Sequence, residues 1–205
     1  MTTANAEPRR PYDIDSLTDV ALRVFAERGF DGASMDDVAK AAGITKASIY
    51  YHVAGKEALL ERGLRRAVDA LFAILDQPGA REGRAVDRVR YIAQRVAVTT
   101  LELLPELSVL FRIRGNSALE ERAIERRRAF DRIVAGLIGQ AQADGDVRGD
   151  VDPALATRLL FGMSNSVVEW YRPDGSLGPK GIADAIGTLA FFGLAYERDT
   201  GGEER

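Results

Sequence analysis

Apolar residues recur every three or four positions along most of the chain, which is the spacing of amphipathic α-helices. The first such stretch, 13–28, ends before Gly29. Similar spacing predicts further helices over about 55–75, 85–104, 106–114, 117–143, 153–171 and 180–198. No stretch of convincing length alternates with the two-residue period of a β-strand. With the two shorter helices described next, the pattern predicts an all-α fold of about nine helices.

Residues 34–60 carry the most informative pattern, a helix, a three-residue turn and a second, short helix. Ser34 with Asp37 three residues later is the sequence of a capping box, which predicts where the first helix begins. Gly43 ends that helix because glycine accepts the left-handed conformation. Thr45 caps the second helix, 46–52, whose side chains are small, hydroxyl, basic and aromatic. This organisation is that of a helix-turn-helix, which lays its second helix in the DNA major groove.

The run SIYYHV at 48–53, followed by Gly55, Lys56, Glu57 and the pair Leu59-Leu60, resembles the DNA-binding domain of the TetR family of bacterial transcriptional regulators. The resemblance covers roughly residues 12–64. It implies a three-helix DNA-binding domain over 12–56 and a helical ligand-binding and dimerisation domain over 57–198. Residues 1–11 are then a disordered arm, in which Arg9 and Arg10 could reach DNA, and 199–205 are a tail.

The resemblance also implies which residues contact operator DNA, namely Ser34, Thr45, Lys46, Ser48, Tyr50, Tyr51, His52 and Lys56. Thr45 and Lys46 lie in the helix turn that points at base edges, and Ser48 contacts a base or a phosphate. Tyr50 and His52 contact phosphates, and Tyr51 reaches the DNA backbone or a thymine methyl. Lys56 adds its charge to a helix N-terminus at a phosphate.

Each of these assignments has an alternative. Either Tyr50 or Tyr51 could pack its ring beneath the turn, and His52, the single histidine of the chain, could be structural. Ile49 and Val53 are expected to face the core.

The charge distribution favours a nucleic-acid contact although the chain as a whole carries a net charge of −3. Residues 38–66 contain six basic and two acidic side chains, a local excess of +4. A basic patch of this kind suits a surface that faces phosphate. A solvated helix face is the alternative.

Composition also excludes several function classes. The 205 residues include no cysteine, which rules out disulfides and thiolate metal sites and suits a reducing cytoplasm. Residues 1–6 lack the order of a signal peptide, and no apolar run approaches the roughly 20 residues of a membrane helix. One histidine, no glycine-rich phosphate loop and no metal-ligand spacing argue against an enzyme, so we expect neither cofactor nor metal. We expect a cytoplasmic protein without a membrane partner.

The last two predicted helices carry small residues between large apolar ones, which allows close helix packing. Family members form a homodimer through a four-helix bundle of these helices, and the candidate interface residues are Gly162, Ser166, Ile186, Ala190 and Gly193. Two-fold symmetry would set the recognition helices about 34–36 Å apart on the operator. Packing within one chain is the alternative.

The resemblance further implies a ligand pocket among the middle helices. Its candidate residues are Phe72, Phe111, Arg114, Asn116, Phe130, Phe161, Asn165 and Trp170. Aromatic residues at helical spacing are more often core than pocket, whereas a buried amide or indole N–H needs a partner. Arg112, Arg114 and the run 126–128 could neutralise an anionic ligand or pair with the nearby glutamates.

Residues 161–175 are similar to the C-terminal region of TetR-type repressors that respond to acyl-CoA thioesters of fatty-acid, steroid or phenylacetate degradation. This similarity implies that a small-molecule effector, an acyl-CoA, releases the protein from double-stranded operator DNA. Binding would shift the helix 55–75 and spread the two recognition helices. The alternatives are a hydrophobic drug or another metabolite as effector, or DNA binding that depends on no ligand.

Overall fold

The structure, a computed structural model, describes residues 13–193 and contains ten α-helices and no β-strand in that part of the chain. The arm 1–11 and the tail 199–205 lie outside the described residues. The helices are α1 Ile14–Arg28, α2 Met35–Ala42, α3 Lys46–His52, α4 Lys56–Leu75, α5 Pro78–Arg81, α6 Ala85–Glu102, α7 Leu104–Arg112, α8 Ala118–Ala143, α9 Pro153–Trp170 and α10 Pro179–Phe192. The prediction of an all-α fold is confirmed.

The helix starts read from the sequence are found where they were predicted. Ser34 and Asp37 form a complete capping box, in which each side chain bonds the backbone N–H of the other residue. Thr45 accepts a hydrogen bond from the backbone N–H of Ser48, and Gly43 ends α2 in the left-handed conformation with φ of 66°. These caps fix the helix-turn-helix from local sequence alone.

Helix ends depart from the prediction at three places. Residues predicted to be a loop contain the one-turn helix α5, which Pro78 can start because its fixed φ suits a first helical turn. Leu103, at φ −114° and ψ 44°, separates α6 from α7. Gly193 ends α10 with φ of 74°, so that helix stops at Phe192 rather than at Arg198, and residues 194–198 lie outside the described residues.

Helix α1 packs on α2 and on the first half of α4, and α3 packs on α2. Leu17, Phe25, Ile49 and Leu59 are buried there, at 2% exposure or less. α1 crosses α4 closely at Gly63, where an added Cβ would lie 2.3 Å from Cδ2 of Leu22. α4 is 20 residues long, about 30 Å, and its second half extends into the C-terminal helices.

Helix α6 lies at the centre of the C-terminal helices and contacts α8, α9 and α10. Ile92, Leu107, Leu110 and Phe130 are fully buried there. One cluster of buried apolar residues extends from α1 to α9 and joins the two parts of the molecule. Among residues 13–193, no helix is long and apolar enough to cross a membrane.

Candidate nucleic-acid interface and the C-terminal helices

Helix α3 presents one face to the core and the other to solvent. Ile49 is fully buried and Val53 nearly so, as predicted. Tyr50 and Tyr51 are 49% and 88% exposed, so neither ring packs beneath the turn. The ring of Tyr51 meets that of exposed His52 edge-on, with centroids 5.3 Å apart. The three adjacent rings of residues 50–52 are therefore open to contact with an extended ligand such as a DNA backbone.

The polar side chains around α3 are already hydrogen-bonded to one another. The Lys46 Nζ donates to Oδ2 of Asp36 at 2.8 Å, and this carboxylate raises the pKa of the ammonium. The hydroxyls of Thr45 and Ser48 lie 2.9 Å apart. Ser34 donates its hydroxyl to Asp37 at 2.6 Å. All these predicted DNA-contacting side chains except that of half-buried Lys56 are on exposed residues.

The half-buried Lys56 holds the start of α4 against the loop between α1 and α2. Its Nζ donates to the carbonyl oxygens of Phe30 and Ala33 at 3.0 and 3.2 Å, and it lies 4.5 Å from the centre of the Phe30 ring. An ammonium has three donors, so one remains. No side chain caps the N-terminus of α4, where Gly55 is the N-cap, so its backbone N–H groups remain open to an anion.

Two of the six basic side chains of residues 38–66 are paired with aspartates of α1. Arg62 bonds Asp15 at 2.9 Å and Arg66 bonds Asp19 at 2.7 Å. These contacts join α4 to α1 rather than to a DNA-facing surface. The sequence carries a signal for these contacts, because Asp15 and Asp19 lie four residues apart on α1 and Arg62 and Arg66 lie four residues apart on α4.

Arg112 forms the junction between the DNA-binding helices and the C-terminal helices. It ends α7, donates through Nη1 to the carbonyl oxygen of Ala26 in α1, and bonds the carboxylate of Glu169 in α9 at 3.0 Å. One guanidinium thus bridges three helices. The sequence predicted Arg112 only as a counter-ion for a ligand or a nearby glutamate, and neither of these distant partners was predicted.

The loop after α7 strengthens the same junction. Buried Glu120 accepts the backbone N–H groups of Arg114, Gly115 and Asn116 at 2.9–3.2 Å. The Asn116 amide reaches Asp31, between α1 and α2, at 3.5 Å. Arg114 and Asn116, predicted to line a pocket, are exposed residues of this loop.

Three of the predicted pocket aromatics form one cluster. Phe130 lies between Phe72 and Phe161, with ring centroids 5.8 and 5.6 Å away. Arg126 covers Phe72, 5.3 Å from the ring centre, and pairs with Asp69 at 2.9 Å.

The remaining pocket candidates are scattered. Phe111 and Asn165 are half-buried, and Trp170 is 51% exposed with its indole N–H 3.4 Å from the Ser166 hydroxyl. None of the eight candidates lines any of three surface clefts of residues 13–193, of about 180, 250 and 560 Å³. The cleft of about 560 Å³ lies between α6, α8, α9 and α10.

The predicted interface residues divide between two environments. Gly162 and Ser166 are exposed on α9, and Ala190 and Gly193 are exposed at the end of α10. Ile186 is 7% exposed and packs inside its own chain against buried residues of α6 and α9.

The fold and the exposed face of α3 define a helix-turn-helix DNA-binding protein with a helical regulatory domain. Comparison with known families agrees. Residues 17–62 match the model of the bacterial regulatory proteins of the tetR family, and residues 82–194 match the model of the tetracyclin repressor-like C-terminal domain. The chain belongs to the TetR family, whose members are transcriptional regulators rather than enzymes.

Individual relatives match over nearly the whole chain. The repressor KstR2 of Rhodococcus jostii is 31% identical over 188 residues, which are 87% of this chain and 89% of that protein. The TetR regulator SCO3833 of Streptomyces coelicolor is 48% identical, with 96% of each chain covered and a TM-score of 0.83. AibR in complex with isovaleryl coenzyme A and operator DNA shares the fold, at 23% identity, 87% and 97% coverage and a TM-score of 0.74.

Proposed function

We propose that this TetR-type regulator is a cytoplasmic homodimeric repressor that an acyl-CoA thioester releases from its operator. The observation that carries the proposal is the exposed polar and aromatic face of α3, held by buried Ile49 on a three-helix core and followed directly by α4. In this proposal, residues 12–56 bind DNA and residues 57–198 bind the effector and the second subunit.

The candidate contacts divide by what they can recognise. Lys46 and Thr45, in the first turn of α3, face base edges in helix-turn-helix docking and select the sequence. Ser34, Ser48, Tyr50, Tyr51, His52 and the Lys56–α4 N-terminus contact the DNA backbone and set affinity. Since Lys46 is bonded to Asp36 at 2.8 Å, it exchanges this partner for DNA on binding.

The effector proposal rests on the similarity of residues 161–175 to acyl-CoA-responsive repressors. AibR supports the proposal, because AibR has the same fold and its structure contains isovaleryl coenzyme A. The Phe72–Phe130–Phe161 cluster offers an apolar surface for an acyl chain, and Arg126 stands at its edge for the anionic head. Binding that separated these rings would displace α4, which carries Phe72 and begins beside α3.

Thermal unfolding tests the effector. The full-length protein is heated with a panel of CoA thioesters, the matching free acids and CoA. A ligand at about 100 times its dissociation constant contributes about 2.7 kcal/mol, which raises the midpoint of a chain of this size by roughly 5–10 °C. A shift with one thioester class, absent with its free acid, is the expected result. No shift with any thioester would remove the acyl-CoA effector and direct the search to hydrophobic drugs and other metabolites.

Selection of binding sites from a random DNA library tests the proposed DNA-binding surface independently of the effector. We expect a near-palindromic site with half-sites about 34–36 Å apart. Lys46→Ala should change the selected bases, because a lost base contact relaxes specificity at that position. Lys180→Ala, at an exposed position of α10, is the matched control and should select the wild-type site. An unchanged selection with Lys46→Ala would contradict its role.

A further inference from the structure

A cleft of about 560 Å³ lies at the end of the domain where α6 and α9 begin and α8 and α10 end. Most of its wall is apolar, including Val89, Ile138, Leu160 and Met163. Its volume falls in the range of about 300–1,000 Å³ that small-molecule sites occupy. None of the residues predicted for the effector pocket lines it.

One cation in this cleft, Arg90, has no counter-ion among residues 13–193. Arg90 places its guanidinium 5.1 Å from the ring centre of Phe191 and 5.5 Å from that of Phe192. Its Nε is buried and has no hydrogen-bond partner, and no ion pair to Arg90 is formed among residues 13–193. Arginine stacked on aromatic rings keeps its N–H edge free for a planar carboxylate. By contrast Arg148, also on the cleft, is paired with Asp150 at 2.6 Å.

One anion in the cleft sets a limit on the charge of the occupant. Asp146 lines it, pairs through Oδ1 with Arg84, and keeps Oδ2 buried without a hydrogen-bond partner. A polyanion such as the phosphates of CoA would be repelled by this carboxylate. A neutral hydroxyl could instead donate to the unpaired oxygen.

We infer that this cleft is a binding site for an apolar monocarboxylate whose carboxylate pairs with Arg90. The apolar wall takes the hydrocarbon body, and the aromatic rings of Phe191 and Phe192 hold the guanidinium in place. A carboxylate there would pair with the half-buried guanidinium, which forms no ion pair among residues 13–193, and a charge that has lost part of its hydration is costly to leave unpaired. The site is separate from the proposed effector site and does not depend on it.

Calorimetric titration of the full-length protein with dodecanoate and dodecanol, below the concentrations at which they aggregate, tests this site. The two probes share a chain and differ in charge. Dodecanoate should bind once per chain and at least tenfold more tightly than dodecanol, about 1.4 kcal/mol. Arg90→Met should remove this preference, and Arg90→Lys should keep part of it. Arg95→Met is the control, since Arg95 lies on the same helix, also has a buried unpartnered Nε, and does not line the cleft.

Filling the cleft gives a second test that does not alter charge. Val151→Trp should reduce the binding of both probes, with an unchanged thermal midpoint showing that the variant folds. Equal binding of dodecanoate and dodecanol would overturn the proposal, as would an equal loss in Arg90→Met and Arg95→Met. It would also be overturned if neither probe bound. A weakened dimer of Arg90→Met would then identify the second subunit as the occupant.

Discussion

The side chains that we propose for DNA contact also form hydrogen bonds within the protein. Lys56 is the clearest case, since its ammonium joins two carbonyl oxygens and one aromatic ring of the α1–α2 region. The family resemblance assigns it to a phosphate, and its third donor and the uncapped N-terminus of α4 remain suited to that role. Its removal should therefore affect both folding and DNA affinity.

We predict that Lys56→Ala lowers the free energy of unfolding by about 1–2 kcal/mol, because two carbonyl oxygens lose a charged donor. It should also weaken binding to all DNA sequences and reduce the salt dependence of the affinity. Chemical denaturation and binding at several salt concentrations measure the two effects. Lys40→Ala, at an exposed position of α2, should leave stability unchanged. A loss of stability with an unchanged salt slope would show that Lys56 serves the fold alone.

The Asp37 carboxylate makes the stability of the folded state depend on pH. Hydrogen bonds from the Ser34 side chain and backbone keep the pKa of the Asp37 carboxyl below its ordinary value of 3.8. A carboxyl with a lowered pKa stabilises the folded state above pH 3.8, and this stabilisation is lost as the pH falls through the folded-state pKa.

We therefore predict that Asp37→Asn melts at a lower temperature than the wild type at neutral pH. The two midpoints should converge as the pH is lowered below 3.8. Glu57→Gln, at an exposed position in the first turn of α4, is a control for lost charge at a helix start. A difference between Asp37→Asn and the wild type that persisted unchanged in acid would contradict the assignment.

Residue partners could be predicted from the sequence only where they are local. The Ser34–Asp37 box lies within one helical turn, so the motif alone determines the contact. Lys56 finds its acceptors more than 20 residues away, and those acceptors are backbone carbonyls that every residue has. No side-chain pattern marks them.

At the scale of elements, α9 and α10 each leave one stripe of side chains uncovered. On α9 the exposed positions are Leu155, Leu159, Gly162, Ser166 and Trp170. On α10 they are Gly181, Ala185, Thr188 and Phe192. Steps of three and four residues keep such positions on one helix face. These two stripes, rather than buried Ile186, are the faces we propose for the four-helix dimer interface.

We predict that Gly162→Phe converts the dimer to a monomer without unfolding it. Gly162 is exposed, and a Cβ there meets nothing within 4 Å in the single chain, so we expect the conflict of a larger side chain to arise with the second subunit. Gly63→Ala is the contrasting variant, because its Cβ would strike buried Leu22 at 2.3 Å and should destabilise the fold by about 1–3 kcal/mol.

Analytical ultracentrifugation and thermal melting separate these outcomes. A Gly162→Phe protein that remained dimeric would place the interface elsewhere.

The sequence predicted these helices better than the spaces between them. Periodicity and caps locate α8 and α9 closely, because both signals are local. The one-turn α5 was missed because the proline and two glycines of residues 76–84 are equally typical of a loop. The cleft could not be predicted, because it depends on how far the ends of four helices stand apart, which no single helix pattern contains.

At the scale of the whole molecule, Arg112 connects the parts that bind DNA to the parts that bind effector and partner. It reaches α1 through Ala26 and α9 through Glu169. Allosteric coupling needs an element that both sites can bias, and this bridge of three helices is such an element. A shift of α9 or α7 would pull directly on α1.

We predict that Arg112→Met retains operator binding and loses most of the effector response. Couplings between sites are typically about 1–3 kcal/mol, so a ligand-induced fall in DNA affinity of roughly 5–150-fold should shrink towards unity. This fall in DNA affinity is measured by operator titrations with and without a thioester that the thermal-shift experiment has identified. Arg128→Met, whose contact with Glu125 is an exposed one at 4.0 Å, should respond as wild type. An intact response in Arg112→Met would show that coupling runs through α4 alone.

The chain contains a single tryptophan, and Trp170 stands half-exposed on the α9 stripe, one residue from Glu169. Its fluorescence therefore comes from one known place. Emission should lie at long wavelength in an isolated chain and move to shorter wavelength when a second subunit covers the indole. The protein thus carries its own optical reporter of assembly, and dilution of the unlabelled wild type is enough to read its subunit affinity.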